Sequence, residues 1–362
     1  MRIAQVAPLY ESVPPARYGG TERVVSWLTE ELVENGHDVT LFASGDSKTR
    51  SRLVPCSRRS LRTDPDCRDY LAHHIGLIER VAQAASRFDI IHFHIDYMHF
   101  PFSRNERLCQ VTTLHGRLDL PDLVPLYREF PDMPVVSISY AQRKPLPWIN
   151  WVGNVQHGLP RRLLSLDRGP GEYLAFLGRI SPEKRPDRAI EIAVRTGIPL
   201  KIAAKVDRAD AEYFEREIKH LLGNPLVEFI GEITDAEKQD FLGNAVACLM
   251  PIDWPEPFGI NMIEAMACGT PTIAFRNGSV PEIITDELNG FIVDSMDEAV
   301  EAVTRIAEIS RVDCRQVFEE KFTSARMAAD YLQVYEAQLC AAGRVPEIAS
   351  DVASNNPSFA SQ

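Results

Sequence analysis

The chain has 362 residues, 45 % of them hydrophobic and 25 % charged, with a formal net charge of −12. That length is long for one core, so two domains are expected, and the acidic balance excludes a general nucleic-acid binder or a strong ligand for anionic membranes. Seven scattered cysteines with no C-x-x-C pair fit reduced thiols in a cytoplasmic protein and exclude a disulfide frame or zinc site.

Met1-Arg2-Ile3-Ala4-Gln5-Val6 runs straight into a strand, Arg2–Pro8, with no signal-peptide core ahead of it. No run in the chain approaches the ~18 uncharged apolar residues of a membrane span. A helix over Thr21–Asn35 follows, with Val24, Val25, Leu28, Leu32 and Val33 on one face and Gly36 as its stop. Between strand and helix stands Tyr18-Gly19-Gly20-Thr21-Glu22. Glycines there let backbone approach a diphosphate, and the helix start adds its positive end. Alone the pair is a weak signal, and it lacks the G-x-G-x-x-G spacing of dinucleotide-binding oxidoreductases.

Asp38–Ser44 reads as the next strand, followed by a polar stretch to Asp69, a helix to Arg87, and strands Asp89–His94, Leu108–His115 and Pro134–Ser139. Short apolar runs alternating with helices predict a parallel sheet covered on both faces. His92 and His94 alternate on one strand and share a face, with Asp96 just beyond, while His115 ends the following strand. Periodicity breaks at Gly158–Pro170, the expected boundary between domains 1–158 and 171–323.

The second half repeats the scheme with strands Tyr173–Leu177, Pro199–Val206, Val227–Gly231, Ala247–Ile252, Thr270–Phe275 and Gly290–Val293. Two intervening helices open with capping boxes, Thr234-x-x-Glu237 and Ser295-x-x-Glu298. Two doubly wound units in tandem turn their strand C-termini toward one cleft. The tail 341–362, rich in Ser, Asn, Pro and Ala, is expected to be disordered.

The most informative segment is Glu256-Pro257-Phe258-Gly259-Ile260-Asn261-Met262-Ile263-Glu264-Ala265. Pro255 and Pro257 place Glu256 on a loop at a strand's end. Met262, Ile263, Met266 and Ala267 recur at helical spacing up to Gly269, which puts Glu264 about one turn into the helix. The amides of Gly259, Ile260 and Asn261 open that helix and attract phosphate. One carboxylate for a sugar, amides for a phosphate and one carboxylate for a ribose describe a nucleotide-sugar site.

Glu256 to Glu264, continued by Ala265-Met266-Ala267-Cys268-Gly269-Thr270-Pro271 and by Gly278-Ser279-Val280-Pro281-Glu282, resembles the paired-glutamate signature of glycosyltransferase family 4. Those enzymes are retaining and have the GT-B architecture of two Rossmann-like α/β domains. The resemblance covers Met1 to about Leu339 and implies an acceptor domain, then a donor domain, with helix 324–340 crossing back to the first. It implies transfer of a hexose, glucose foremost, from a nucleoside-diphosphate sugar, UDP-linked foremost, to an acceptor hydroxyl, without cofactor or metal. By resemblance Glu256 and His115 sit near the donor sugar and Arg179 and Lys184 neutralise the diphosphate. Glu264, Phe258, Gly259, Ile260, Gly19 and Gly20 complete the donor site, with Lys205 at the next strand's end a weaker candidate. No histidine lies between Leu9 and Glu22, where inverting relatives carry a base, which accords with retention. The opening Pro8-Leu9-Tyr10-Glu11-Ser12-Val13-Pro14-Pro15 resembles a bacterial subgroup acting on small acceptors, some of them pterins. A catalytically silent nucleotide-sugar-binding protein and a nucleotide-sugar epimerase of similar fold remain as alternatives, and the acceptor itself is not encoded in any readable pattern.

Overall fold

The computed structural model of the chain describes residues 1–17, 19–106, 108–167 and 169–343. The expected disorder of the tail therefore lies, from residue 344 on, outside the described residues.

A first sheet is built from β1 (Arg2–Val6), β2 (Asp38–Ser44), β3 (Arg52–Ser57), β4 (Ile90–Phe93), β5 (Gln110–Thr113), β6 (Val135–Ser137) and β7 (Trp151–Asn154). A second contains β8 (Tyr173–Ile180), β9 (Leu200–Val206), β10 (Val227–Gly231), β11 (Ala245–Met250), β12 (Thr272–Phe275) and β13 (Gly290–Val293). The strand orders are 3-2-1-4-5-6-7 and 10-9-8-11-12-13, and every pairing is parallel. Both sheets reverse order beside their first strand, at β1/β4 and at β8/β11. A doubly wound sheet opens its ligand crevice at that reversal.

Local sequence explains the elements. The Gly20–Glu34 helix buries Val24, Val25, Leu28 and Leu32 in the core. The Ile260–Ala267 helix ends in a Schellman motif: Gly269, at φ 76°, donates to the Met266 carbonyl and Thr270 donates to that of Ala265. Thr234 and Glu237 form the reciprocal box. Ser295 does only half of it, because Glu298 turns instead to the amide of Asp294.

Two strands depart from expectation. β3 occupies part of the stretch read as polar, and β7 falls between Ser139 and Gly158, where the sequence reading assigns no strand. Both are edge strands, only partly buried, and so carry no continuous apolar run.

The sheets are joined twice, side by side. Leu159 N–H donates to the Phe322 carbonyl and Ser324 N–H donates to that of Leu159. The Ser324–Ala341 helix then packs on the first domain, burying Tyr331 and Tyr335, while Ser324 Oγ bonds Glu31 at 2.5 Å.

Candidate functional site between the two sheets

A cavity of about 510 Å³ lies between the sheets and is lined by all eleven residues singled out from sequence: Gly19, Gly20, His115, Arg179, Lys184, Lys205, Glu256, Phe258, Gly259, Ile260 and Glu264.

Glu256 follows β11 on a loop that prolines at 251, 255 and 257 keep out of regular structure. Gly278 supports this loop from behind at φ 56°, where a Cβ would fall 2.3 Å from the Glu256 carbonyl oxygen. Ser279 adds its N–H to that carbonyl and its hydroxyl to the carbonyl of Phe258. The Gly278-Ser279 block is thus a mould for the Glu256 loop. The Glu256 carboxylate, on a buried residue, takes both Lys184 Nζ and Trp254 Nε1 on one oxygen. The Trp254 ring also lies 5.3 Å from the Lys184 ammonium and 5.4 Å from the Arg117 guanidinium.

Glu264 sits one turn into the Ile260–Ala267 helix and is 3 % exposed. At the helix start, Gly259 adopts φ 80° with methyl groups of Met250 and Met262 where a Cβ would lie, so only glycine fits. Glu264 Oε1 is 2.5 Å from Lys238 Nζ. Lys238 lies 3.3 Å from Asp235, which binds Arg23 of the first domain at 2.9 Å. Alternating charges thereby connect Glu264 to the helix that begins at Gly20.

Arg179 lies beyond the strand expected over Tyr173–Leu177 yet is still on β8, which continues to Ile180. It stands directly opposite Lys205 on β9, so both side chains leave the same face. Arg179 bonds Glu183 at 2.5 Å and lies 3.3 Å from Asp210. Lys184 closes the turn Pro182–Lys184. Eight Arg or Lys side chains line the cavity against five Asp or Glu, an excess of three positive charges in a chain of net charge −12. Such a local reversal concentrates anions.

On the opposite wall, Gly19 and Gly20 head the first helix, and a Cβ on Gly20 would meet Ile260 Cδ1 at 3.6 Å. His115 lies two residues past β5, with Nε2 2.9 Å from His94 Nδ1 and its ring stacked on His157 at 5.3 Å. Burial pushes the His115 ring down to about 3 and those of His92, His94 and His157 well below the usual range, so all are neutral imidazoles. Asp96 is raised to about 6 by burial, against the lowering effect of the His115 backbone N–H. Among the described residues no group of three or more His, Cys, Asp and Glu side chains is placed to hold a metal ion. Lys238, Trp254 and His157 line the cavity without having been marked by any sequence motif, and Asp96, noted beside the His92/His94 pair, lines it as well.

Two family models match the chain, one described as Glycosyltransferase Family 4 over residues 18–169 and one as Glycosyl transferases group 1 over 166–321. The N-acetyl-alpha-D-glucosaminyl L-malate synthase of Bacillus anthracis is 24 % identical over 88 % of this chain and 93 % of its own length. Among solved structures, the sucrose-phosphate synthase of Thermosynechococcus elongatus superposes with a TM-score of 0.76 at 18 % identity, covering 94 % of this chain and all of that one. HepE of Anabaena, solved with UDP and glucose, gives 0.74 at 16 % identity over 93 % of this chain and all of its own. No helix among the described residues is long and apolar enough to cross a membrane.

Proposed function

The chain belongs to glycosyltransferase family 4 and has the GT-B fold, and from that membership we propose a retaining transfer of glucose from UDP-glucose to a hydroxyl of a small acceptor, without metal. The observation that carries the reading is the Lys184–Glu256–Trp254 cluster beside Arg179 and Lys205, facing Gly19, Gly20 and His115 across one cavity. Glu264 receives the ribose hydroxyls, and the Gly259–Asn261 amides with Arg179 and Lys184 receive the diphosphate. Glu256, already an acceptor for two donors, orients the sugar. The sugar C1–O bond to the diphosphate breaks while the acceptor oxygen bonds C1 on the same face. The acceptor's proton passes to the departing phosphate oxygen, so no protein base is required. UDP is favoured because HepE carries it in an equivalent fold, and because a cavity with three surplus positive charges suits a diphosphate.

Calorimetry in EDTA is expected to show UDP binding and weaker GDP and ADP binding. Strict magnesium dependence would end the metal-free reading, and preference for GDP would move the donor to a guanosine sugar.

Lys238→Met is expected to weaken UDP binding by about tenfold, because a buried carboxylate that loses its cation is no longer held as a hydrogen-bond acceptor for ribose. The same titration checks it, and an unchanged Kd would separate Glu264 from the ribose.

A further inference from the structure

His92 and His94 have no part in that chemistry, yet both belong to one continuous hydrogen-bond chain ending at the cavity. His115 Nε2 meets His94 Nδ1 at 2.9 Å, His94 Nε2 meets Gln5 Oε1 at 2.8 Å, and Gln5 Nε2 donates to the Tyr335 hydroxyl at 3.0 Å. The Tyr335 hydroxyl meets His92 Nδ1 at 2.7 Å, His92 Nε2 meets Thr113 Oγ1 at 2.7 Å, and Thr113 Oγ1 meets the Tyr331 hydroxyl at 2.8 Å. Gln5, His92, Thr113, Tyr331 and Tyr335 are wholly buried, and His94 nearly so.

A neutral imidazole offers one donor and one acceptor nitrogen, so the direction of one bond fixes the next. Gln5 sets the direction, since its oxygen only accepts and its nitrogen only donates. With the oxygen on His94, Nε2 of His94 carries the hydrogen and Nδ1 of His94 presents a lone pair. His115 Nε2 must then be the donor, and His115 Nδ1 is left as a lone pair. That atom finds no hydrogen-bond partner among the described residues. A buried acceptor on a cavity-lining side chain is one that a ligand can satisfy.

We propose that Gln5 and Tyr335 are positioning residues that lock His115 in its Nε2–H tautomer, so that Nδ1 accepts a hydrogen bond from a hydroxyl of the bound substrate. The proposal rests on the transferase reading for its ligand, though not for the tautomer. Tyr335 lies on the Ser324–Ala341 helix, which gives that crossing segment a chemical task as well as a structural one. Its hydroxyl, which can donate as well as accept, takes the Gln5 amide N–H; the direction of the chain is set by the Gln5 amide itself, whose reversal would convert Nδ1 to a donor. The lone pair selects ligand groups carrying a hydrogen and repels carbonyl, carboxylate and phosphate oxygens.

The test is a ring-nitrogen correlation spectrum of the full chain labelled with 15N-histidine, recorded at pH 7.5 without nucleotide. His115 is assigned through His115→Gln. The expected spectrum shows a proton on Nε2 and none on Nδ1; a proton on Nδ1, or averaged tautomers, overturns the proposal. Tyr335→Phe loses one oxygen and no carbon, and is expected to give mixed His115 tautomers with kcat about fivefold lower, the equivalent of one neutral hydrogen bond. An unchanged spectrum removes Tyr335 from the role. Gln5→Met should mix the tautomers likewise, whereas Gln5→Glu, which still accepts from His94, should keep the Nε2–H form; identical spectra for both variants overturn the part given to Gln5. Because the spectra are recorded without nucleotide, their outcomes are independent of whether UDP binds, and only the kcat readout rests on the transferase reading.

Discussion

Lys184→Ala is expected to lower kcat by about 10²–10³-fold, because a fixed cation placed where charge develops on a leaving group can contribute several kcal/mol to the transition state. In the resting site that cation is held by the Glu256 carboxylate and the face of Trp254. Its side chain is 22 % exposed and that of Glu256 11 %, so the pair is neither a screened surface contact nor a fully dehydrated one. Removing Lys184 has two separable consequences: the diphosphate loses a counter-charge, and the Glu256 carboxylate keeps the Trp254 Nε1–H but no cation on that oxygen. A double-mutant cycle with Glu256→Gln separates them. If Lys184 serves only to neutralise Glu256, the double variant recovers most of the activity of Glu256→Gln alone. If it neutralises the leaving diphosphate, the deficit of Lys184→Ala persists in the Glu256→Gln background. An unchanged kcat for Lys184→Ala, with circular dichroism intact, would remove Lys184 from the chemistry.

Much of this site was legible because its chemistry is written locally. Glu256 and Glu264 lie on one short segment, where prolines dictate a loop, Gly259 a left-handed helix start and Gly269 a helix stop. The same holds for Asp38–Ser44, Val227–Gly231 and Gly290–Val293, whose strand bounds match the expected ones because both ends carry a turn signal. What could not be read is whatever tertiary distance decides. Arg23 and Asp235 are 212 positions apart and belong to different domains, so neither reveals its partner. Lys238 reads as an ordinary helical lysine until the fold places it on Glu264. His92 and His94 share a face as their alternation requires, but that alternation says nothing of Tyr335, which reaches them from the far end of the chain.

The buried histidines make stability fall steeply with acid, and this is the largest thermodynamic effect expected of the chain. His92, His94, His99 and His157 are held well below the usual imidazole range by burial, and His115 is held at about 3. A depressed native pKa means that the unfolded chain takes up the proton first. The stability these five groups contribute is therefore fully present above the unfolded value of about 6.5 and is lost as pH falls toward the folded values. Asp96 has the opposite sign. Raised to about 6 from its ordinary value of 3.8, it binds a proton in the folded chain that the unfolded chain has released. Its contribution is present below the unfolded value and lost as pH rises through about 6, so between those values it offsets one histidine. His37 and His74 are lowered with the five, and Glu11, Glu22 and Asp210 are raised with Asp96, so the balance is a net uptake of a few protons on unfolding, each worth about 1.4 kcal/mol per pH unit. A domain's whole stability is about 5–15 kcal/mol, so the margin should vanish within a few pH units below 6.5. Thermal unfolding between pH 7.5 and 4.5 is expected to show Tm nearly level down to pH 7 and then falling by about 10 °C or more by pH 5. A Tm that stayed level from pH 7.5 to 5 would mean that these imidazoles can be protonated in the folded chain, and the neutral hydrogen-bond chain from His115 to Tyr331 would have to be abandoned with them.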